Sequence, residues 1–230
     1  MKIKSVILAY NDEETIGAVI KCIKPFVDEI VVMLSERPYF GVPEAPDNTE
    51  EICLSLDVNV VKGYWKLDHY QRNTGKKILK DCDWIIYLDS DELIDNKNII
   101  YLLDFLKNTN DNAVTVLPRV YWKTIDYILD PPASFDPIIA ARPHVDFHYI
   151  RNVNSSYVRW DGEMHHLSWC SPKDIKKKVT TYAHASDFDG EKWFNDRYEK
   201  WNYGDDVIMP NGEVFKTKLF PLPDDLRILL

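Results

Sequence analysis

Apolar positions in the first hundred residues fall into two patterns that take turns along the chain. Residues 3–9, 29–34, 58–61 and 84–88 are short runs rich in Ile, Val and Leu, each bounded by polar residues. Runs that are apolar on successive positions, instead of every second one, predict strands buried on both faces of a sheet. Between the runs the spacing lengthens. Ile16, Val19, Ile20 and Ile23 share one face of a helix expected over 13–24 and stopped by Pro25, with Asn11 or Asp12 as its cap. Asp47, Asn48 and Thr49, followed by Glu50 and Glu51, open a second helix to about Ser55, and 70–80 reads as a third. Strand, helix and strand joined by short loops is the signature of parallel βαβ units. The expected fold class is therefore α/β, a mixed, mainly parallel sheet flanked by helices.

The pattern loosens further on. A helix over 97–106 and strands at 113–117, 119–122 and 138–142 are expected. Residues 145–168 are rich in His, Tyr and Trp and read as irregular; 176–183 alternates and reads as a strand; 191–200 reads as a helix. One early segment also breaks the rule of short loops. Residues 35–48 carry Pro38, Pro43 and Pro46 and no period, so a long loop is expected at the ligand edge of the sheet, where such loops are functional.

Composition removes several classes of function. Cys22, Cys53, Cys82 and Cys170 are widely spaced and form no C-x-x-C pair, which favours free thiols and argues against a cysteine zinc site. The net charge of −9 argues against a general nucleic-acid binder and leaves nucleic acid only as a modified-base acceptor. No signal peptide is expected before the first strand, and no apolar run in the sequence is long enough to cross a membrane. A cytoplasmic protein is expected, with the tail after Tyr203 as a possible contact in a homodimer.

Candidate chemistry gathers where the strand at 84–88 runs into Asp89-Ser90-Asp91-Glu92. The carboxyl edge of a parallel sheet is where ligands bind. Asp89 and Asp91 are hard oxygen donors that can hold Mn²⁺ or Mg²⁺, which in turn binds phosphates; the same cluster also suits a helix start. Tyr10-Asn11-Asp12-Glu13-Glu14, Ser35-Glu36 and Arg72-Asn73 fall on the same edge. There is no G-x-G-x-x-G and no Walker A motif, so phosphate binding falls to metal and side chains. Downstream, Asp161 and Glu163 are the candidate bases for deprotonating a hydroxyl, with Asp187 and Asp189 behind them. Trp122, Trp160, Trp169 and Trp193 are expected in cores, and Lys176-Lys177-Lys178 on a solvated face.

Residues 5–14, Ser-Val-Ile-Leu-Ala-Tyr-Asn-Asp-Glu-Glu, resemble the opening strand and turn of family 2 glycosyltransferases. Gln71-Arg72-Asn73, leading to Asp83-Trp84 and on to Asp89-Ser90-Asp91-Glu92, resembles their second signature, in the same order and spacing. The resemblance covers about the first hundred residues. It implies a GT-A fold, a Rossmann-like domain binding a sugar nucleotide and Mn²⁺ or Mg²⁺. Ala9, Tyr10 and Asn11 would line the nucleoside pocket with Glu13 beside them, Arg72 would approach the diphosphate, and Asp89, Ser90 and Asp91 would face ribose and metal. Residues 162–170 and 178–184 are more distantly similar to the tail of family 17 N-acetylglucosaminyltransferases, where a late His completes the metal site; His184 is the candidate, His166 the second. The turn after the second strand departs from family 2, since Ser35-Glu36 and the Pro-rich loop replace its Asp-rich turn. The expected layout is a nucleotide-sugar-binding core at 1–145 and an acceptor-side region at 146–230 completing the same domain. The expected activity is metal-dependent, inverting transfer of a sugar from a nucleotide-diphosphate-sugar donor, a UDP-sugar first, to a hydroxyl acceptor, glycan or other. The alternatives are a glycosyltransferase-like binding protein without turnover and a nucleotidyltransferase.

Overall fold

A computed structural model describes residues 1–79, 81–181 and 188–230, with the backbone alone at 172–174. The chain opens as the apolar runs predict, with β1 (Ile3–Ala9), α1 (Ile16–Ile23), β2 (Glu29–Ser35), α2 (Thr49–Ser55), β3 (Asn59–Gly63), α3 (Asp68–Ile78) and β4 (Trp84–Asp89). β1 pairs in parallel with β2 and β4, and β2 with β3. All seven residues of β1 are buried, because helices cover both faces. Ile7, Val32, Ile86 and Leu88 pack with Ile16, Val19, Ile20 and Ile23 of α1. Val6, Val31, Met33, Ile85 and Tyr87 supply a separate core on the opposite face. The strand period of two thus feeds two cores from one unbroken apolar run. α3 covers the second face through Gly75, where a Cβ would stand 2.7 Å from Val6 Cγ1.

After β4 the parallel order ends. The chain continues through β5 (Glu92–Leu93), α4 (Asn96–Asn108), β6 (Ala113–Val116), β7 (Arg119–Trp122), β8 (Thr124–Asp130) and β9 (Ile138–Ala141). Then come β10 (Phe147–His148), β11 (Asn152–Val153), β12 (Tyr157–Trp160), β13 (His165–Trp169) and α5 (Pro172–Thr181). The last elements are α6 (Gly190–Trp193) with a π-helical turn at Phe194–Tyr198, β14 (Val207–Ile208), β15 (Val214–Leu219) and α7 (Asp224–Arg227). β9 lies antiparallel between β4 and β6, and β12 joins β6 in parallel, which completes a seven-stranded sheet of order β12-β6-β9-β4-β1-β2-β3. A six-stranded sheet of order β14-β15-β8-β7-β13-β5 stands beside the carboxyl edge. Its core is aromatic: Trp122, Trp169, Trp193, Phe194, Tyr198 and Trp201 pack together. β12 belongs to the first sheet, while β5, β7 and β8 belong to the second. The two sheets therefore interleave along the sequence.

Three local expectations change. Residues 176–181, expected to begin a strand, lie in helix α5. Ile175 and Val179, four apart, bury one helix face in the aromatic core. Thr180 and Thr181, which favour strands, satisfy their hydroxyls by donating back to the Lys177 carbonyl at 2.7 and 2.9 Å. Residues 124–130 form β8, a strand whose alternation is too weak to show in the sequence. α1 starts at Ile16 and not at Glu13, because Asn11 takes φ 50° and Asp12 turns its carboxylate to the Tyr10 N–H at 2.8 Å. Neither residue caps the helix through its side chain. All four cysteines are free thiols, and among the described residues no helix is long and apolar enough to cross a membrane.

Candidate active site

The carboxyl ends of β1 and β4, the loop after β2, α3, β13 and α5 enclose a cleft of about 1070 Å³. Its charged end is built around the turn after β4. Asp89 Oδ1 lies 2.6 Å from Arg72 Nη2, and its Oδ2 lies 3.4 Å from Arg151 Nη1. Burial works to raise the Asp89 carboxyl, but Arg72 and Arg151 overcome it and hold the group below the usual carboxylate range. Arg72 is 1% exposed, and its Nε and Nη1 find no hydrogen-bond partner among the described residues. Nε lies 3.7 Å from Asp68 Oδ2, so Nη1 is the group of this buried guanidinium that can meet an anion in the cleft. Arg151 is anchored from below, 2.5 Å from Glu92 Oε1 and donating to the Tyr87 carbonyl at 2.9 Å.

Asp91 faces the other way. Its Oδ1 lies 3.3 Å from His166 Nε2 and its Oδ2 lies 3.4 Å from Lys178 Nζ. Burial again pushes the carboxyl up, and Lys178 and His166 bring it far below its ordinary value. Burial disfavours the His166 imidazolium, yet Asp91 and then Glu92 carry its pKa upward. His166 is held there by the backbone: β13 pairs antiparallel with β5, directly after the acidic turn, and the Leu167 N–H donates to the Asp91 carbonyl at 2.8 Å. Ser90 ties this turn to the first one, donating to Asp12 Oδ2 at 2.5 Å. Asp12 is pushed up to about 6, by burial first, against Lys177, the Ser90 hydroxyl and the Tyr10 N–H.

The donor set can be matched against a divalent cation. Among the described residues no group of three His, Cys, Asp or Glu side chains gathers. Asp89 is committed to two arginines, which leaves Asp91 and His166 as the pair with converging donor atoms. One carboxylate and one imidazole, completed by phosphate oxygens and water, suit Mn²⁺ or Mg²⁺, ions that take few protein ligands at phosphate sites.

The same arrangement of sheets occurs in solved structures. Glucosyl-3-phosphoglycerate synthase from Mycobacterium tuberculosis, in complex with Mn²⁺, uridine diphosphate and phosphoglyceric acid, matches over 100% of this chain and 91% of that one, with a TM-score of 0.55 and 15% identity. The chain has the GT-A fold. The same synthase with Mn²⁺ and UDP-glucose matches over the same shares with a TM-score of 0.53 and 13% identity. A further mycobacterial protein matches over 96% of this chain and 84% of that one, with a TM-score of 0.55 and 16% identity. In a crystal of the synthase with Mg²⁺ and uridine diphosphate the match spans 51% of this chain and only 44% of that one, with a TM-score of 0.43 and 22% identity. No protein-family model matches the chain, and no curated protein matches it.

Within the GT-A fold the residues named from sequence are distributed unevenly. Ala9, Tyr10, Glu13, Arg72, Asp89, Ser90 and Asp91 line the cleft. Asn11 lines a neighbouring pocket of about 430 Å³ instead. Its amide is engaged by the Pro-rich loop, donating to the Ala45 carbonyl at 2.9 Å and accepting from the Asp47 N–H at 3.4 Å. Asp161 and Glu163 do not line the cleft. β12 carries Trp160 to the far edge of the first sheet, beyond β9 and β6, and the chain there turns toward α4. Asp161 accepts from the Tyr101 hydroxyl, Glu163 pairs with Arg119 at 2.8 Å, and the Glu163 N–H donates to Asn98 Oδ1 at 3.0 Å. Asp189 caps α6 through the Lys192 N–H at 2.9 Å. His184 and Asp187 lie outside the described residues. His165 points away from His166, buried with its Nδ1 3.0 Å from the Tyr121 hydroxyl.

Arg151, Lys177, Lys178 and Tyr39 line the cleft, and the sequence argument gave none of them a role in the site. Arg151 sits in a stretch without motif or period. Lys177 and Lys178 were expected in solvent, and only the helical reading of α5 turns them inward. Tyr39, in the Pro-rich loop, donates to Gln71 Oε1 at 2.5 Å, and burial raises its phenol strongly. The helical spacing of Ile175 and Val179 is the one sequence signal that pointed to the orientation of α5.

Proposed function

We propose that this chain is a metal-dependent glycosyltransferase that moves a sugar from a nucleoside-diphosphate-sugar donor to a hydroxyl acceptor with inversion. The observation that carries the proposal is the charged end of the cleft. There buried Arg72, with its Nη1 free of a hydrogen bond among the described residues, and the Asp91–His166 pair line one cleft at the carboxyl edge of β1 and β4. The resemblance of residues 5–14 and 71–92 to family 2 glycosyltransferases supports the same reading. The neighbouring synthase was crystallised with uridine diphosphate and Mn²⁺, which makes a UDP-sugar with Mn²⁺ or Mg²⁺ the first donor and ion to test.

In this reading Asp91 and His166 would hold the ion, which would supply positive charge where the diphosphate leaves. Arg72 binds a phosphate oxygen through Nη1, and Asp89 and Asp68 fix that guanidinium in place. Ala9, Tyr10 and Tyr39 flank the nucleoside. The acceptor enters beside Ile125, Leu129, Phe135 and Met209, apolar residues that also line the cleft. Deprotonation of its hydroxyl falls to a carboxylate inside the cleft and not to Asp161 or Glu163, which stand outside it.

The test is uridine diphosphate binding and donor turnover with and without Mn²⁺, in the wild type and in Asp91→Asn. The wild type is expected to bind the nucleotide only weakly after metal removal. Asp91→Asn is expected to lose Mn²⁺-dependent binding and at least 100-fold in transfer rate, about 3 kcal/mol of transition-state stabilisation. Unchanged turnover in Asp91→Asn refutes the assignment.

A further inference from the structure

The cation position in this site already has an occupant. Lys178 reaches from α5 into the cleft, where its ammonium lies 3.4 Å from Asp91 Oδ2 and donates to Ser168 Oγ. The Trp169 ring lies 5.5 Å away on one side. Asp91 Oδ1 meanwhile faces His166 at 3.3 Å. Both oxygens of Asp91 are therefore engaged, one by an imidazole and one by an ammonium. A divalent ion bound to Asp91 and His166 meets a positive charge already in place. The next residue behaves alike: Lys177 donates to the Asn11 carbonyl at 2.5 Å and lies 3.9 Å from Asp12 Oδ1. Two adjacent lysines of one helix thus face the two acidic turns that end β1 and β4.

We propose that Lys178 is a resident counter-ion of Asp91, displaced by the divalent cation and taken up by the donor's diphosphate. This rests on the glycosyltransferase reading above and adds a coupling to it. A lysine ammonium is a mobile point charge on a flexible four-carbon stem with three donors, suited both to hold a carboxylate and to pass to phosphate. Without nucleotide, the ion must displace Lys178 into open solvent, so metal binds weakly. With nucleotide, the displaced ammonium gains phosphate oxygens, so metal and nucleotide each strengthen the other's binding. Linkage requires the two effects to be equal. Lys178 is in this account a positioning residue: it sets the order and interdependence of binding and takes no part in bond exchange.

The experiment measures Mn²⁺ binding to the full chain from the electron paramagnetic resonance of the free aqua ion, and uridine diphosphate binding by calorimetry at saturating Mn²⁺. The proteins are the wild type, Lys178→Gln and Lys178→Arg. Removing the ammonium in Lys178→Gln is expected to tighten Mn²⁺ binding in the absence of nucleotide by about tenfold and to weaken nucleotide binding by about tenfold. Lys178→Arg, which keeps a cation, is expected to restore weak Mn²⁺ binding and most of the nucleotide affinity. A structural role alone weakens both ligands together. If Lys178→Gln leaves Mn²⁺ affinity unchanged or lowers it, while both proteins still bind the nucleotide, the counter-ion proposal is overturned and the glycosyltransferase reading stands. If no nucleotide binds to the wild type at any Mn²⁺ concentration, that reading falls and takes the proposal with it.

Discussion

The buried Arg151–Glu92 pair beneath the acidic turn gives a sharp test of the energetics. Arg151→Met keeps much of the side-chain stem and removes the guanidinium. Arg151 is 3% exposed and Glu92 fully buried, so the remaining carboxylate has no solvent to turn to. Glu92 loses a partner at 2.5 Å and keeps the Asp89 N–H at 2.8 Å. Breaking one side of such a pair costs about 3–5 kcal/mol. The Tyr87 carbonyl loses a donor at 2.9 Å, adding about 1 kcal/mol. Asp89 contributes little to the loss, because Arg72 still holds it at 2.6 Å. A total of about 5 kcal/mol, with a urea slope of about 2.5 kcal/mol per M, lowers the unfolding midpoint by about 2 M. The corresponding fall in Tm is roughly 10–20 °C. The double variant Arg151→Met/Glu92→Gln removes the stranded charge but keeps an acceptor for the Asp89 N–H. It is expected to recover at least half of the loss. The assay is equilibrium urea unfolding at pH 7, followed by far-ultraviolet circular dichroism. A loss below about 1 kcal/mol, the range of an exposed pair, refutes the reasoning. So does a double variant no more stable than the single one.

Two further outcomes follow from the geometry. Gly75→Ala places a methyl 2.7 Å from Val6 Cγ1 and 3.1 Å from Met33 Cγ, so α3 must lift from the sheet. A loss of about 1–3 kcal/mol is expected in thermal unfolding, and an unchanged Tm counts against the close packing. Asp12 has a folded pKa of about 6 against an ordinary value of 3.8, so its protonated form favours the native state. Its contribution is complete below about pH 4 and disappears as the pH rises through about 6. Because the carboxylate is still 27% exposed, the metal-free wild type should lose only about 1–2 kcal/mol relative to Asp12→Asn between pH 4 and pH 7. Urea midpoints of the two proteins across that range decide it; a constant difference contradicts the assignment.

What could be read from the chain depended on how local the cause was. β1 and β4 are contiguous apolar runs, and their burial on both faces follows from composition alone. The acidic turn follows its strand without a gap, so its place at the carboxyl edge was legible too. The partners of that turn were not. Arg151 reaches Asp89 across 62 positions, and Lys178 reaches Asp91 across 87. No periodic pattern registers pairings of that length. The lysine run shows the limit plainly: three charges in succession look like a solvated face, but Ile175 and Val179 fix the helix so that Lys177 and Lys178 turn to the carboxylates. Asp161 and Glu163 stand apart from the cleft for the converse reason. Their chemistry suits a base, but the edge pairing of β12 with β6 takes them away from the cleft.

The ladder between β5 and β13 has a consequence for how such a protein can be recombined. The positions of Asp91 and His166 are fixed relative to each other by main-chain pairing and by the Leu167 N–H on the Asp91 carbonyl, so neither depends on the identity of nearby side chains. β13 also pairs with β7, and Arg151 reaches back to Asp89 and Glu92. A chimaera that joins residues 1–145 to a foreign second half must therefore rebuild this two-residue seam, the β7 ladder and the Arg151 anchor together. Recombination at that point puts the Asp91–His166 spacing at risk even when each half keeps its own core.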